Sequence, residues 1–245
     1  MLFRSVPGSL QTFPLMLLLA MLPAAASLHA AGDRTRLHEL FRRGQRYLLG
    51  ATVILVAALL VVADRLFAVW LGPGHGEAAL VMRGVTLATG LALATGMGTV
   101  AVRAVGRTDL EAGFAALVLA LHLVLSRLLL PSHGLEGAVV ALLVANAIAC
   151  PVFMFRMAGA LGWSRREVLL GTSAVPMLAL MVGIGISMAI DVLATRAGLG
   201  GWTGVVAVSS SGALGALAVL IVSGHLPWHE VRALLFVRGA RGTNA

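Results

Sequence analysis

Six side chains that could do chemistry lie within or at the ends of stretches otherwise made of Leu, Ala, Val and Gly: Asp64, Arg65, Arg83, His122, Arg127 and Asn146. An ionisable group in hydrocarbon is expensive, about 2.5 to 3.5 kcal/mol for an Arg even on the most lenient scale, so such groups are first candidates for work inside a membrane. The three arginines suit contact with a phosphate or a sugar, and snorkelling to the interface is the plainer role for side chains of that length. Counted from the nearest turn, they sit about 6 to 10 Å inside one boundary. Asp64 adjoins Arg65 and cannot pair with it across one helical face. It is a candidate for proton or sodium coupling, or a carboxylate at the interface. His122 and Asn146 are deeper, about nine and eleven residues from the nearest turn, where an interhelical hydrogen bond competes with lining a cavity.

A second set lies in two short connections, His75 and Glu77 in "GPGHGE" and His133 and Glu136 in "PSHGLEG". This is the acid-base set that a membrane-embedded acyltransferase or glycosyltransferase would need, but both connections are too short to hold a sugar acceptor. The one cysteine, Cys150, excludes an internal disulfide, and no Cys/His cluster has metal-ligand spacing. There is no phosphate-cradling G-x-x-x-x-G-K-[ST] loop, and Ser209 to Ser211 have no neighbouring His or Asp to activate them. No cofactor and no metal are expected.

These groups must be positioned by membrane spans. Hydrophobic residues make up 59% of the chain and charged ones 11%, with a mean hydropathy of +0.97. A soluble domain is about one-quarter charged. The expected fold is all-α and polytopic. At 1.5 Å per residue, crossing 30 Å of hydrocarbon takes roughly 20 apolar residues, and about seven stretches qualify: 8–29, 48–71, 79–102, 111–131, 135–155, 168–191 and 203–225. A basic amphipathic connector, 31–46, and a tail, 226–245, complete a single transmembrane domain. The stretches "TGLALATGMGT" and "SSSGALGALA" are expected to be close-packing surfaces. Pro151 and Pro176 should bend their helices.

All 18 basic residues are Arg, and the net charge is +8. The arginines are scattered between apolar segments with no interleaved aromatics, so nucleic acid is not an expected partner and membrane lipid is. They alternate strictly by connection. Arg34, Arg36, Arg42, Arg43 and Arg46 lie in the first, Arg103 and Arg107 in the third, and Arg156, Arg165 and Arg166 in the fifth, with Arg232, Arg238 and Arg241 in the tail. The second and fourth have none, and the sixth has only Arg196. The positive-inside rule makes the first, third and fifth connections and the C-terminus cytoplasmic. Trp70, Trp163, Trp202 and Trp228 fall at span ends, where amphipathic rings settle. In the connector, Leu37, Leu40 and Phe41 are expected to face lipid and His38 to be solvated.

Arg4, "LMLLLAMLP" and "AAA" at 24–26 also look like a secretory signal peptide. Cleavage there would invert every later connection, which the arginine count opposes. A first span running from outside to inside implies earlier helices, so the chain is expected to be the C-terminal part of a longer protein.

An apolar segment with prolines, then "SLHAAGDRTRLHELFRRGQRY", then a helix ending "FAVWLGPG", followed by "AVRAVGRTDLEAG" and "HGLEGAVVALLVANAIACPVF", resembles the second half of the Wzx-type oligosaccharide flippases of the MATE-like superfamily. The similarity covers roughly residues 10 to 165. It implies a lobe of a two-lobed transporter that moves undecaprenyl-diphosphate-linked oligosaccharide across the bacterial cytoplasmic membrane. The missing N-terminal lobe would be a partner and would supply the other cavity wall. A lipid II flippase and a multidrug antiporter are alternatives within the superfamily, and low aromatic content disfavours the antiporter.

Overall fold

The computed structural model describes residues 5–168 and 174–226. The tail from 227 onward, with Trp228 and its arginines, lies outside the described residues, as does Arg4. Every regular element among the described residues is helical: α1 (Ser5–Ala30), α2 (Arg34–Leu60), α3 (Ala63–Leu71), α4 (Gly76–Leu93), α5 (Gly96–Ala104), α6 (Thr108–Leu161), α7 (Ala174–Arg196) and α8 (Gly201–Val222). Among the described residues, five helical stretches are long and apolar enough to cross a membrane: α2, α4 with α5, α6, α7 and α8. The chain is thus a membrane-embedded helical bundle.

Turn chemistry in the sequence accounts for the boundaries. Gly32 takes φ 71°, a left-handed conformation that favours Gly, and the Asp33 amide then bonds back to the Leu28 carbonyl, closing α1. Asp33 in turn accepts the Arg36 amide at 2.9 Å and starts α2. At 54 residues, α6 is about 80 Å long if straight, far more than one crossing needs. Gly134, at φ 53° and ψ −134°, breaks it. The Phe114 and Phe153 rings pack 5.0 Å apart between centroids, so the two arms fold back on each other as a helical hairpin. Helical geometry continues through Pro151.

Three features depart from the expectations. The basic connector is not a separate interfacial helix, because nothing in 34–60 stops α2 and it runs straight through. Leu37 and Phe41 do not face lipid: at 5% and 2% exposure they sit in a core with Leu18, Leu48, Met97, Val102, Phe153 and Met157. Leu40 packs against the same core. His38 is half-buried, 4.7 Å from the Trp163 ring, which also packs against Phe41. The solvated face of this stretch is instead Arg36, Arg42, Arg43 and Glu39, with Glu39 paired to both Arg42 and Arg43.

Connections gather alternately at two ends. His38 and Phe41 against Trp163, Arg103 against Glu111, and Gly50 facing Leu226 bring 31–33, 105–107, 162–164 and 223–226 to one end. Arg65 on Leu199 and Arg83 on Asp64 bring 72–75 and 197–200 to the other. Most arginines of the described residues lie at the first, basic end.

Backbone meets backbone closely where α2, α7 and α8 cross. A Cβ on Gly212 would lie 2.6 Å from the Ala57 carbonyl oxygen, and one on Gly183 would lie 2.8 Å from the Gly212 oxygen. Buried Ser187 donates to the Val208 carbonyl at 2.9 Å across the same seam. "SSSGALGALA" is therefore a packing surface, as its small residues imply. Outward-facing Met181, Leu214 and Val222, at 70%, 63% and 88% exposure, suit contact with lipid tails.

Candidate functional site

At the end away from the arginine-rich connections, α3 carries Asp64 and Arg65 side by side, and the two point to different neighbours. Asp64 pairs with Arg83 of α4, whose Nε also donates to the Leu60 carbonyl at 3.1 Å. Arg65 pairs with Asp191 near the end of α7, and donates to the Asp191 carbonyl at 2.9 Å, Thr195 Oγ1 at 2.6 Å and the Leu199 carbonyl at 3.0 Å. Gly204 of α8 leaves room for this guanidinium, since a Cβ there would lie 2.8 Å from Nη1. An open cleft of about 420 Å³ lies beside the pairs, lined by Val61, Asp64, Arg65, Asp191, Thr195 and the glycine turn after it.

The chemistry follows from this saturation. The Arg65 guanidinium spends its donors on Asp191 and Thr195 of α7 and on the Leu199 carbonyl in the turn that follows. Arg65 is thus a clamp between helices. The Arg83 pair is more exposed, at 36% and 62% for the two side chains, and water screens it. Asp191 and Thr195 were not singled out from sequence. The sequence carries a partial signal: an acid at the end of one predicted span and an Arg at the same depth of another each need a partner.

The remaining candidates are not brought together with these. Arg127 is exposed and makes no ion pair with a described residue, and His122 lies 3.5 Å from Ser126 Oγ on the same helix. Both lie on the first arm of α6, where no residue between 111 and 136 is buried. Asn146, on the second arm, is 6% exposed and donates back to the Leu142 carbonyl at 2.9 Å, so it belongs to the packed interior. His75 and His133 each find a local partner, the Gly72 carbonyl at 3.1 Å and Ser132 Oγ at 2.7 Å. Among the described residues no three His, Cys, Asp or Glu side chains converge.

A second cleft, about 260 Å³, opens between α1, the α4–α5 junction and the first arm of α6. Thr89, Thr95, Thr99, Arg103 and Glu111 supply its polar groups, and Leu18, Leu93 and Phe114 are among its apolar walls. Arg103 and Glu111 form a forked pair at its basic end, at 2.7 and 2.5 Å. His122 and Ser126 continue the Glu111 stripe along the first arm at helical spacing. "TGLALATGMGT", read from sequence as a packing surface, is therefore also where the helix is interrupted and where its threonines line a cleft.

No protein-family model, curated protein or solved structure matches the chain.

Proposed function

We propose that this bundle is one lobe of a membrane flippase, the C-terminal part of a transporter that moves undecaprenyl-diphosphate-linked oligosaccharide across the bacterial cytoplasmic membrane. The cleft between α1, α4–α5 and the first arm of α6 carries the reading. It lines membrane depth with hydroxyls and an ion pair, on the side where the first arm of α6 has no buried residue from 111 onward. A polar sugar needs such a surface, whereas lipid tails do not. Facing this side, a second lobe completes the cavity. With α1 and the two arms of α6 counted separately, the lobe crosses the membrane seven times, and the arginine-rich end is cytoplasmic by the positive-inside rule. Lipid II as cargo fits the same cleft chemistry; a drug antiporter fits it less well, because Phe114 is the one aromatic side chain among its lining residues.

The test is in cells that make the chain with its natural partners. Thr89→Leu with Thr99→Leu removes two cleft hydroxyls while leaving the arginines in place. At about 0.5 to 1.5 kcal/mol per lost hydrogen bond, glycan export should fall roughly tenfold, with complete lipid-linked glycan accumulating on the inner leaflet. Unchanged surface glycan at normal protein level refutes the proposal. Accumulation of an incomplete glycan indicates an enzyme instead.

Sidedness has its own test. Cysteine at Ser132 should react with an impermeant thiol reagent in intact cells, and cysteine at Arg36 should not, both positions being exposed. Gln45, within the same basic run, is unsuited to the comparison because it is 1% exposed. Native Cys150 is buried and stays silent. The reverse pattern overturns the orientation.

A further inference from the structure

Gln45 sits in the run of α2 that looks most solvated in sequence, yet it is 1% exposed. It faces the junction at Ala94–Thr95, where α4 ends and α5 begins, and its Nε2 donates to the Ala94 carbonyl at 2.5 Å. The residues beside it on α2 seal the spot: Gly44 lies against Met97, and Leu48 packs on Gly96. The other atom of the Gln45 amide, Oε1, is buried and meets no donor among the described residues. A bare amide oxygen costs about 1 to 3 kcal/mol, so the site has a requirement that its own side chains leave unmet.

The junction narrows what can meet it. A helix leaves its first amides without acceptors, and α5, nine residues long, begins at this point. Thr95 Oγ1 is already committed to the Ala92 carbonyl at 2.7 Å. The missing group must therefore donate to Oε1 on one side and accept from leading amides of α5 on the other. A cation would suit Oε1 and be repelled by the positive end of α5, and an anion would suit α5 and be repelled by Oε1. Water does both. The 260 Å³ cleft includes Thr95 and Gly96 in its lining, which gives water a way in.

We propose that the α4–α5 junction is a water-binding site, in which one ordered water bridges Gln45 Oε1 and the first amides of α5. This inference does not depend on the cargo. The water and the Gln45 amide together splint an interruption in a membrane span. Because a bridging water exchanges hydrogen bonds easily, α5 and the Arg103 it carries can tilt against α4 without exposing a bare polar group to hydrocarbon.

Radiolytic hydroxyl-radical labelling of the full chain in lipid nanodiscs tests this, because radicals formed from a held water oxidise the buried side chain beside it. Met97, in the first turn of α5, is 2% exposed, and Met82 on α4 is 6% exposed, so bulk access alone makes Met82 the faster of the two. The expected result is several-fold faster oxidation of Met97 than of Met82, with Met97 falling to the Met82 rate or below it in Gln45→Leu. Met97 labelling no faster than Met82, or equal Met97 labelling in wild type and Gln45→Leu, overturns the proposal. If Gln45→Leu does not fold, the wild-type comparison of the two methionines still decides.

Discussion

Gly212→Ala should lower the stability of the chain in detergent or nanodiscs by roughly 2 kcal/mol, and Gly212→Leu should leave no folded protein to measure. The added Cβ would lie 2.6 Å from the Ala57 carbonyl oxygen and 3.2 Å from the Ser187 Cβ. The first contact is with backbone, which cannot swing aside as a side chain can. Relief requires α2 and α8 to separate, and separation strips dispersion contacts that nothing replaces, because lipid tails drive no helix association of their own. It also stretches the Ser187 bond to Val208. Gly185, on the exposed side of α7 with nothing near its Cβ, is the control. Gly185→Ala should be neutral or stabilising by up to about 1 kcal/mol, since Ala is the better helix former. Thermal unfolding followed by size-exclusion recovery reads both. Equal effects of the two Gly→Ala changes would show that the close three-helix crossing carries no special weight.

Arg65→Ala is expected to cost about 2 kcal/mol, because it leaves the Asp191 carboxylate and the Leu199 carbonyl without their donor. The figure is kept below that for a fully buried pair because the Asp191 side chain is 35% exposed and water compensates in part. Arg65→Met combined with Asp191→Leu removes both charges and should recover more than half of the loss. A double-mutant cycle on thermal stability measures the coupling directly. The same pair separates two roles. If Arg65 is a clamp, translocation returns with stability in the double variant. If it grips a pyrophosphate, stability returns and translocation does not.

Much of the fold was legible because turn chemistry and span length are local properties. Gly32–Asp33, "GPGHGE", "VGRTD" and the glycine of "PSHGLEG" stop and start helices where their dihedral and capping preferences demand. What was not legible depends on which helices are neighbours. Arg65 and Asp191 are 126 residues apart, and depth in the membrane says that both need a partner without saying that each is the other's. Gln45 was hidden for the opposite reason. It stands among arginines, and a polar residue in a basic run reads as solvated, although its helical phase matches Leu37, Phe41 and Leu48 on the inward face. The α4–α5 interruption has no proline to announce it. Thr95 and Gly96 weaken the helix there, but Gln45 from another helix supplies the hydrogen bond that makes the break tolerable.

One consequence of α2 is mechanical. Its 27 residues form an unbroken shaft of about 40 Å, with exposed arginines at one end and Leu60, which Arg83 grips, at the other. Between them it bears on α1, α4, α5, α7 and α8. A tilt of about 5° at the charged end would displace the far end by roughly 3 to 4 Å over that length. A pull on the arginines by anionic headgroups would thus be felt at the opposite surface as leverage, with the jointed α4–α5 span yielding and the stiff one turning.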